Sequence, residues 1–287
     1  MDASKKQKQP FENKWLSLLN CEKVDEGRVQ PLLSVVICTF DCAESIGMTL
    51  ESLALQDYPK FELLIIDANS QDRSLSVIQS FKSLPVKIYS VTDYSIHEMM
   101  NRGISLCEGD YVHFMFPADT YLSPDVFKHM MNLAVEQEFP DLLYSGCVLR
   151  GEHKSPKIFL RDLDSQTLKM GRQPTCPQAL WFRVETLKNL GKFDGNYSLR
   201  ASFELLCRYM KEQDLRIAAS KRIFIDYEPK SSSPTDLILH NQETFSILRQ
   251  YFGLFVACKW WFLKGLFRFF KWWLKSLKIY LWKKRFY

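Results

Sequence analysis

Solid apolar runs and helical stripes alternate along the first part of this chain. Leu32 to Phe40, LLSVVICTF, is a nearly continuous β-branched run, the pattern of a strand covered on both faces. Behind Asp41 and Ser45 as N-cap candidates, Ile46 to Leu55 carries apolar residues at helical spacing. Phe61 to Ile66 repeats the strand pattern and runs into Asp67-Ala68-Asn69-Ser70-Gln71-Asp72, a cluster of turn and capping residues. A helix from Ser74 to Phe81, a strand from Val86 to Val91, a helix from Ser95 to Leu106 and a buried strand from Asp110 to Phe116 complete the alternation. Strand and helix in strict succession predict a parallel sheet with right-handed crossovers.

Past Asp119 the pattern loosens. Ser123-Pro124-Asp125 opens a helix that runs to about Glu138. Strands are expected from Asp141 to Leu149, Lys157 to Leu160 and Arg216 to Tyr227, with an extended piece from Thr175 to Phe182. Helices are expected from Glu185 to Leu190, from Phe203 to Met210 and from Asp236 onward. The fold class is therefore α/β, a mixed sheet with helices on both faces. It divides into a polar arm (1–31), a domain in two halves (32–122 and 123–245) and a tail (246–287).

Charge is distributed unevenly. The net charge is +5, yet from Tyr251 onward there are nine Lys/Arg and no Asp/Glu, leaving 29 basic against 33 acidic residues before it. The body is mildly acidic and the tail strongly basic. Basic residues at 264, 268, 271, 275 and 278 alternate spacings of four and three, which makes one stripe on a helix. The rest of the tail is largely Trp, Phe, Leu and Ile, and it holds five of the seven tryptophans. Cations interrupt every apolar run before it reaches the ~18 residues a spanning helix needs. Such a composition fits a helix lying in a membrane interface, with a C-terminal amphipathic helix on anionic headgroups. A helix packed on the body or on another subunit is the alternative. No nucleic-acid partner is expected, because aromatics this dense are costly in water without lipid or protein cover.

Other features narrow the chemistry. The eight cysteines include no CxxC pair and read as buried thiols of a reducing compartment. The start, MDASKKQKQP, has no apolar stretch behind it, so no cleaved signal is expected. His97 and His113 have no partner at metal-ligand spacing and read as packing residues. Three acids, Asp67, Asp93 and Asp119, end successive buried strands, where open α/β sheets bind ligands. No GxGxxG or GxxxxGK[ST] follows any strand, which argues against a dinucleotide fingerprint and a P-loop. A phosphate site without a Gly-rich cradle needs a divalent cation on carboxylates, or basic side chains.

At these residues a family resemblance enters. LSVVICTFDCAESIGMTLESLALQDYPKFELLIIDANSQDRS resembles the opening of a family 2 glycosyltransferase of GT-A fold, in the subgroup of bacterial envelope and exopolysaccharide enzymes. DYSIHEMMNRGISLCEGDYVHFMFPADTYLSP resembles its middle, with the pattern D-x-G-I-Y-D-A-M-N-K-G-I. CPQALWFRVETLKNLGKFDGNYSLRASFELLCR resembles the acceptor-side half. The resemblance covers roughly residues 32–230. It implies a nucleotide-sugar half (32–122), an acceptor half (123–245) and sugar transfer with inversion. Thr39 and Phe40 match positions lining the nucleotide, Asp67 the acid on the base, and Asp93 an acid of the nucleotide-sugar wall. Asn101 and Arg102 match the Asn-Lys pair near the diphosphate. Asp119 matches the last acid of the metal-binding cluster, implying Mg²⁺ or Mn²⁺. Glu204 lies in the block that supplies the catalytic base.

Some positions depart from the pattern. Phe116-Pro117-Ala118-Asp119 stands where the family carries D-A-D-D or N-A-D-D, Ser202 stands at the base position, and Pro177 replaces a His ahead of Gln178. The expectation is a glycosyltransferase using a nucleotide-sugar, UDP-linked before GDP-linked. Its acceptor is expected to be lipid-linked or a glycan, and its place the cytoplasm, peripheral on the inner face of the membrane. The alternative is a catalytically impaired relative that serves as a binding or scaffold protein there.

Overall fold

A computed structural model describes residues 29–92, 95–150, 156–212, 214–227 and 233–264. Nearly all of the polar arm, Asp93 and the tail beyond 264 lie outside the described residues.

The first strands form as their apolar runs require: β1 (Leu33–Thr39), β2 (Phe61–Asp67), β3 (Val86–Ser90) and β4 (Tyr111–Met115). They lie parallel in the order β3-β2-β1-β4, joined by α1 (Ile46–Ala54), α2 (Ser74–Ser80) and α3 (Ile96–Leu106). Register pairs Thr39 with Asp67 and Ile37 with Met115, so these strands end together at one edge. That shared edge is where the crossover topology leaves a ligand crevice.

The second half extends the sheet. Its strands are β5 (Thr120–Tyr121), β6 (Leu142–Leu149), β7 (Lys157–Phe159), β8 (Leu180–Arg183) and β9 (Ile217–Tyr227). The order continues β4-β8-β6-β9-β5, with β7 on β6. β8 runs antiparallel to both β4 and β6, which makes the sheet mixed, as expected. The helices are α4 (Val126–Glu136), α5 (Ser165–Lys169), α6 (Val184–Asn189), α7 (Ala201–Tyr209) and α8 (Pro234–Phe252).

The core has two halves because β1 and β2 alternate their side chains. Leu33, Val35 and Ile37 pack with Leu63 and Ile65 under α1, α2 and α4. Val36 and Cys38 pack with Leu64 and Ile66 under α3, α6, α7 and α8. Helices therefore cover both faces. The expected extended piece from 175 to 182 is a 3-10 turn, Pro177–Ala179, leading into β8. Ser233 starts α8 with a capping box: its Oγ accepts from Asp236 N at 3.1 Å, and Asp236 Oδ2 accepts from Ser233 N at 2.9 Å. α8 continues through 245 and stops at Gly253, whose φ of 87° a side chain resists. A further helix, α9, covers residues 254–264.

Candidate functional site

The donor end of the site is a knot between the first two strands. Thr39 Oγ1 donates to Asp67 Oδ1 at 2.8 Å, and both residues are buried. Ser70 donates its Oγ to the same oxygen at 2.6 Å and its N–H to Oδ2 at 2.9 Å. Asp67 thus holds the loop three residues on while facing the adjacent strand. Phe40, next along the chain, is half exposed. Asp41 takes a left-handed φ of 41° and accepts from Gln71 N at 2.7 Å, stitching the two loops together. Asn69 is left-handed as well, at φ 58°. Asn tolerates this conformation, and its place two residues after Asp67 was readable from the turn-rich run.

The second carboxylate is Asp119, delivered by the loop after β4. Ala118 ahead of it has φ 82°, a region that costs a residue with a Cβ about 1–3 kcal/mol. The loop is held by Thr49 Oγ1, which donates to Phe116 O at 3.3 Å. Asp119 is buried and accepts from Gln178 Nε2 at 2.7 Å. The sequence placed Gln178 in the family pattern without showing that it meets Asp119. Gln178 Oε1 is buried with no hydrogen-bond partner among the described residues. Burial pushes the nearby Tyr227 phenol up to about 12, aided by the charges of Cys176 and Asp119, so it stays a neutral hydroxyl.

Among the described residues, no group of three or more His, Cys, Asp or Glu could hold a metal ion. One carboxylate beside an orphaned amide oxygen is not a cage. It does fit a Mg²⁺-type ion whose remaining ligands are diphosphate oxygens and water.

Two of the remaining candidates, Asn101 near the diphosphate and Glu204 in the acceptor half, are engaged in holding the fold. Asn101 on α3 donates Nδ2 to Phe193 O at 2.9 Å and accepts from Phe193 N at 3.0 Å. Its amide is thus spent on the loop after α6. Arg102 beside it is exposed. Glu204 on α7 is buried, and one oxygen accepts from Arg208 Nε at 3.0 Å and Nη2 at 2.8 Å. Its other oxygen accepts from Tyr251. Arg208 in turn donates to the carbonyls of Leu190 and Lys192. The structure therefore brings Thr39, Phe40 and Asp67 to one strand edge, with Asp119 on the neighbouring loop. It turns Asn101 and Glu204 into packing contacts, and Asp93 lies outside the described residues. Ser202, at the base position, is partly buried at the start of α7.

One surface cleft, about 490 Å³, is lined by Glu136, Pro140 and Arg216 among others. It lies at the start of β6 and β9. Because β6 runs parallel to β4, that is the end of the sheet opposite Asp67 and Asp119.

Known proteins resemble the chain over this same region. It is 26% identical over 182 residues to a PGL/p-HBAD biosynthesis glycosyltransferase of Mycobacterium bovis (strain BCG / Pasteur 1173P2), covering 62% of this chain and 69% of that protein. It is 28% identical over 108 residues to the uncharacterized glycosyltransferase YibD of Escherichia coli (strain K12), covering 37% and 31%. The fold matches S. aureus TarS 1–349 in complex with UDP, with a TM-score of 0.61, 19% identity, and coverage of 77% of this chain and 66% of that one. It also matches the mannosyltransferase PcManGT from Pyrobaculum calidifontis, solved with GDP-Man and Mn²⁺, with a TM-score of 0.57, 14% identity, and coverage of 81% and 74%. These neighbours share the GT-A architecture expected from the sequence. Residues 34–188, more than half of the chain, match Glycosyl transferase family 2, and the chain belongs to that family.

Proposed function

We propose that the protein transfers a sugar from a nucleotide-sugar, UDP-linked in preference to GDP-linked, to a membrane-associated or polysaccharide acceptor, with inversion. The observation that carries this reading is the pairing of two buried carboxylates, Asp67 and Asp119, at the ligand edge of one sheet. The fold neighbour TarS has also been solved with UDP-GlcNAc. In this reading Thr39, Phe40 and Asp67 hold the nucleoside, with Asp93 on the sugar wall. Arg102 supplies an exposed cation for the diphosphate, and Asn101 fixes the loop that faces it. Asp119 would hold Mg²⁺ or Mn²⁺, and the cation would neutralise charge developing on the leaving diphosphate.

Glu204 acts here as a positioning residue. Its carboxylate orients Arg208, which holds the 190–192 carbonyls and so the acceptor-side loop. Three of its roughly four lone-pair directions are already taken and the side chain is buried, which favours positioning over proton abstraction from an acceptor hydroxyl. One carboxylate at the cation position and Ser202 at the base position favour the second reading, a catalytically impaired relative that binds donor without turnover. In either reading the basic, aromatic tail would hold the protein at the inner face of the membrane. Among the described residues no helix is long and apolar enough to cross one.

A transfer assay separates the two readings. The purified protein is incubated with UDP-sugars, Mn²⁺ and extracted envelope lipids, and UDP release is followed. Lipid-dependent UDP release supports the enzyme. Saturable UDP binding with no release for any donor supports the impaired relative.

A further inference from the structure

The start of the tail is docked rather than tethered. α9 folds back along α8 at Gly253, and the contacts set an antiparallel hairpin. Trp261 meets Phe245 edge-on at 5.7 Å, and Lys264 Nζ donates to Asn241 Oδ1 at 2.6 Å. Trp260 Nε1 donates to Met170 O at 2.9 Å. A Cβ added at Gly171 would lie 2.6 Å from that same Nε1, so the indole is seated against bare backbone. Ala257 and Trp260 belong to the core under α3, α6 and α7.

This docking fixes which way the helix faces. Positions 257, 260 and 264 share one side at helical spacing, and that side is turned to the body. The opposite side carries Phe255, Cys258, Lys259 and Phe262, with Leu254 beside them. Phe255 is 81% and Phe262 65% exposed, with Trp261 and Leu263 exposed on the flanks. Leu237 and Ile238, one turn before Asn241, extend the apolar surface at the end of the hairpin that Lys264 reaches. Lys264, the first position of the basic stripe, lies on the body side. The body on one side, and on the other an apolar face crossed only by the exposed Lys259, whose stem can reach back to the headgroups, is the arrangement of a helix lying in a lipid interface.

We propose that the outer face of the α8–α9 hairpin is a lipid-contact surface for an anionic bilayer, holding the acceptor half on the headgroup side. The proposal rests on the membrane part of the reading above and deepens it. It names the residues that enter the lipid, and it ties the start of the tail to the acceptor half, since Tyr251 on α8 is bonded to Glu204 on α7. Charge selects the occupant. Nine cations and no acids follow residue 250. A second copy pairing through this face would bring like charges together, whereas anionic headgroups neutralise them.

The test uses the full chain with vesicles of phosphatidylcholine alone and of phosphatidylcholine mixed with phosphatidylglycerol. Wild type, the double variant Phe255→Glu/Phe262→Glu and the control Ile158→Glu are compared by co-sedimentation, light scattering and UDP titration. Both phenylalanines are mostly exposed, so the double variant keeps its core. Ile158 is exposed on β7, away from the hairpin. Wild type and control are expected to favour the mixed vesicles, and the double variant to lose about tenfold or more in partitioning. Equal partitioning of the double variant overturns the proposal. So does a change in oligomeric state at unchanged vesicle binding, which makes the face a self-association surface. Failure of all three proteins to bind UDP, with the vesicle result intact, sinks the donor reading and leaves this face standing.

Discussion

Gln178 Nε2 sits 2.7 Å from Asp119 Oδ2, and both side chains are buried. The amide is the side chain bonded to that carboxylate, and its own oxygen is unpartnered among the described residues. Gln178→Glu should therefore build a two-carboxylate site. Two adjacent carboxylates repel, so one proton is retained until a cation displaces it. Mn²⁺ affinity in the presence of UDP is expected to rise on the order of tenfold, more steeply at higher pH. Unchanged affinity across pH in calorimetric titrations counts against Asp119 as the cation ligand.

Thr39→Val tests the knot at the donor end. The substitution keeps the shape and removes the donor to a buried carboxylate, leaving Ser70 to satisfy it. Stability in urea should fall by about 1.5–3 kcal/mol, the usual worth of a hydrogen bond to a charged group. UDP affinity should fall with it, because Asp67 loses its fixed orientation. A variant that loses stability with full UDP affinity would detach Asp67 from the nucleotide.

Glu204→Gln separates positioning from catalysis. Glu204 and Arg208 form a buried i,i+4 pair, so neutralising one partner should cost about 3 kcal/mol in stability. Turnover per folded molecule should remain within about tenfold, with an unshifted pH profile. A general base would instead lose about a hundredfold or more, along with its limb of the profile. Tyr251→Phe should reproduce the stability loss more weakly, since only one hydrogen bond goes.

How much of this was legible in the sequence depended on range. The strands through Met115 announced themselves because a covered strand is a continuous apolar run, and Asp67 was visible as the acid that ends one. Two-residue β5 carries no period, and the Pro177 turn reads as extended chain because proline fits both. Gln178 with Asp119, and Tyr251 with Glu204, join residues far apart in the chain, and no local pattern encodes such bonds. The basic stripe was legible, but that its first residue, Lys264, faces the body follows from the seat of Trp260 on Met170 and the bond to Asn241.

His113 sets an acid limit on stability. It stacks on Trp181 at 3.8 Å in the core, and burial lowers its pKa from 6.5 to about 3. The unfolded chain takes up the proton below 6.5 while the native state refuses it. Its stabilising contribution is therefore complete above pH 6.5 and is lost as pH falls toward 3, up to about 5 kcal/mol. His113→Phe, which keeps the stack, should flatten the fall of the urea midpoint over that window. An equally steep fall in the variant assigns the acid sensitivity to other groups.

The central claim is donor binding at the strand edge through Asp67 with a cation on Asp119. Calorimetric titration with UDP and GDP, with and without Mn²⁺, in wild type and Asp119→Ala, tests it most directly. The account predicts binding of UDP in preference to GDP, tightened by Mn²⁺ in wild type and insensitive to Mn²⁺ in Asp119→Ala. UDP binding that ignores Mn²⁺ in wild type, or no binding of either nucleotide, would contradict it.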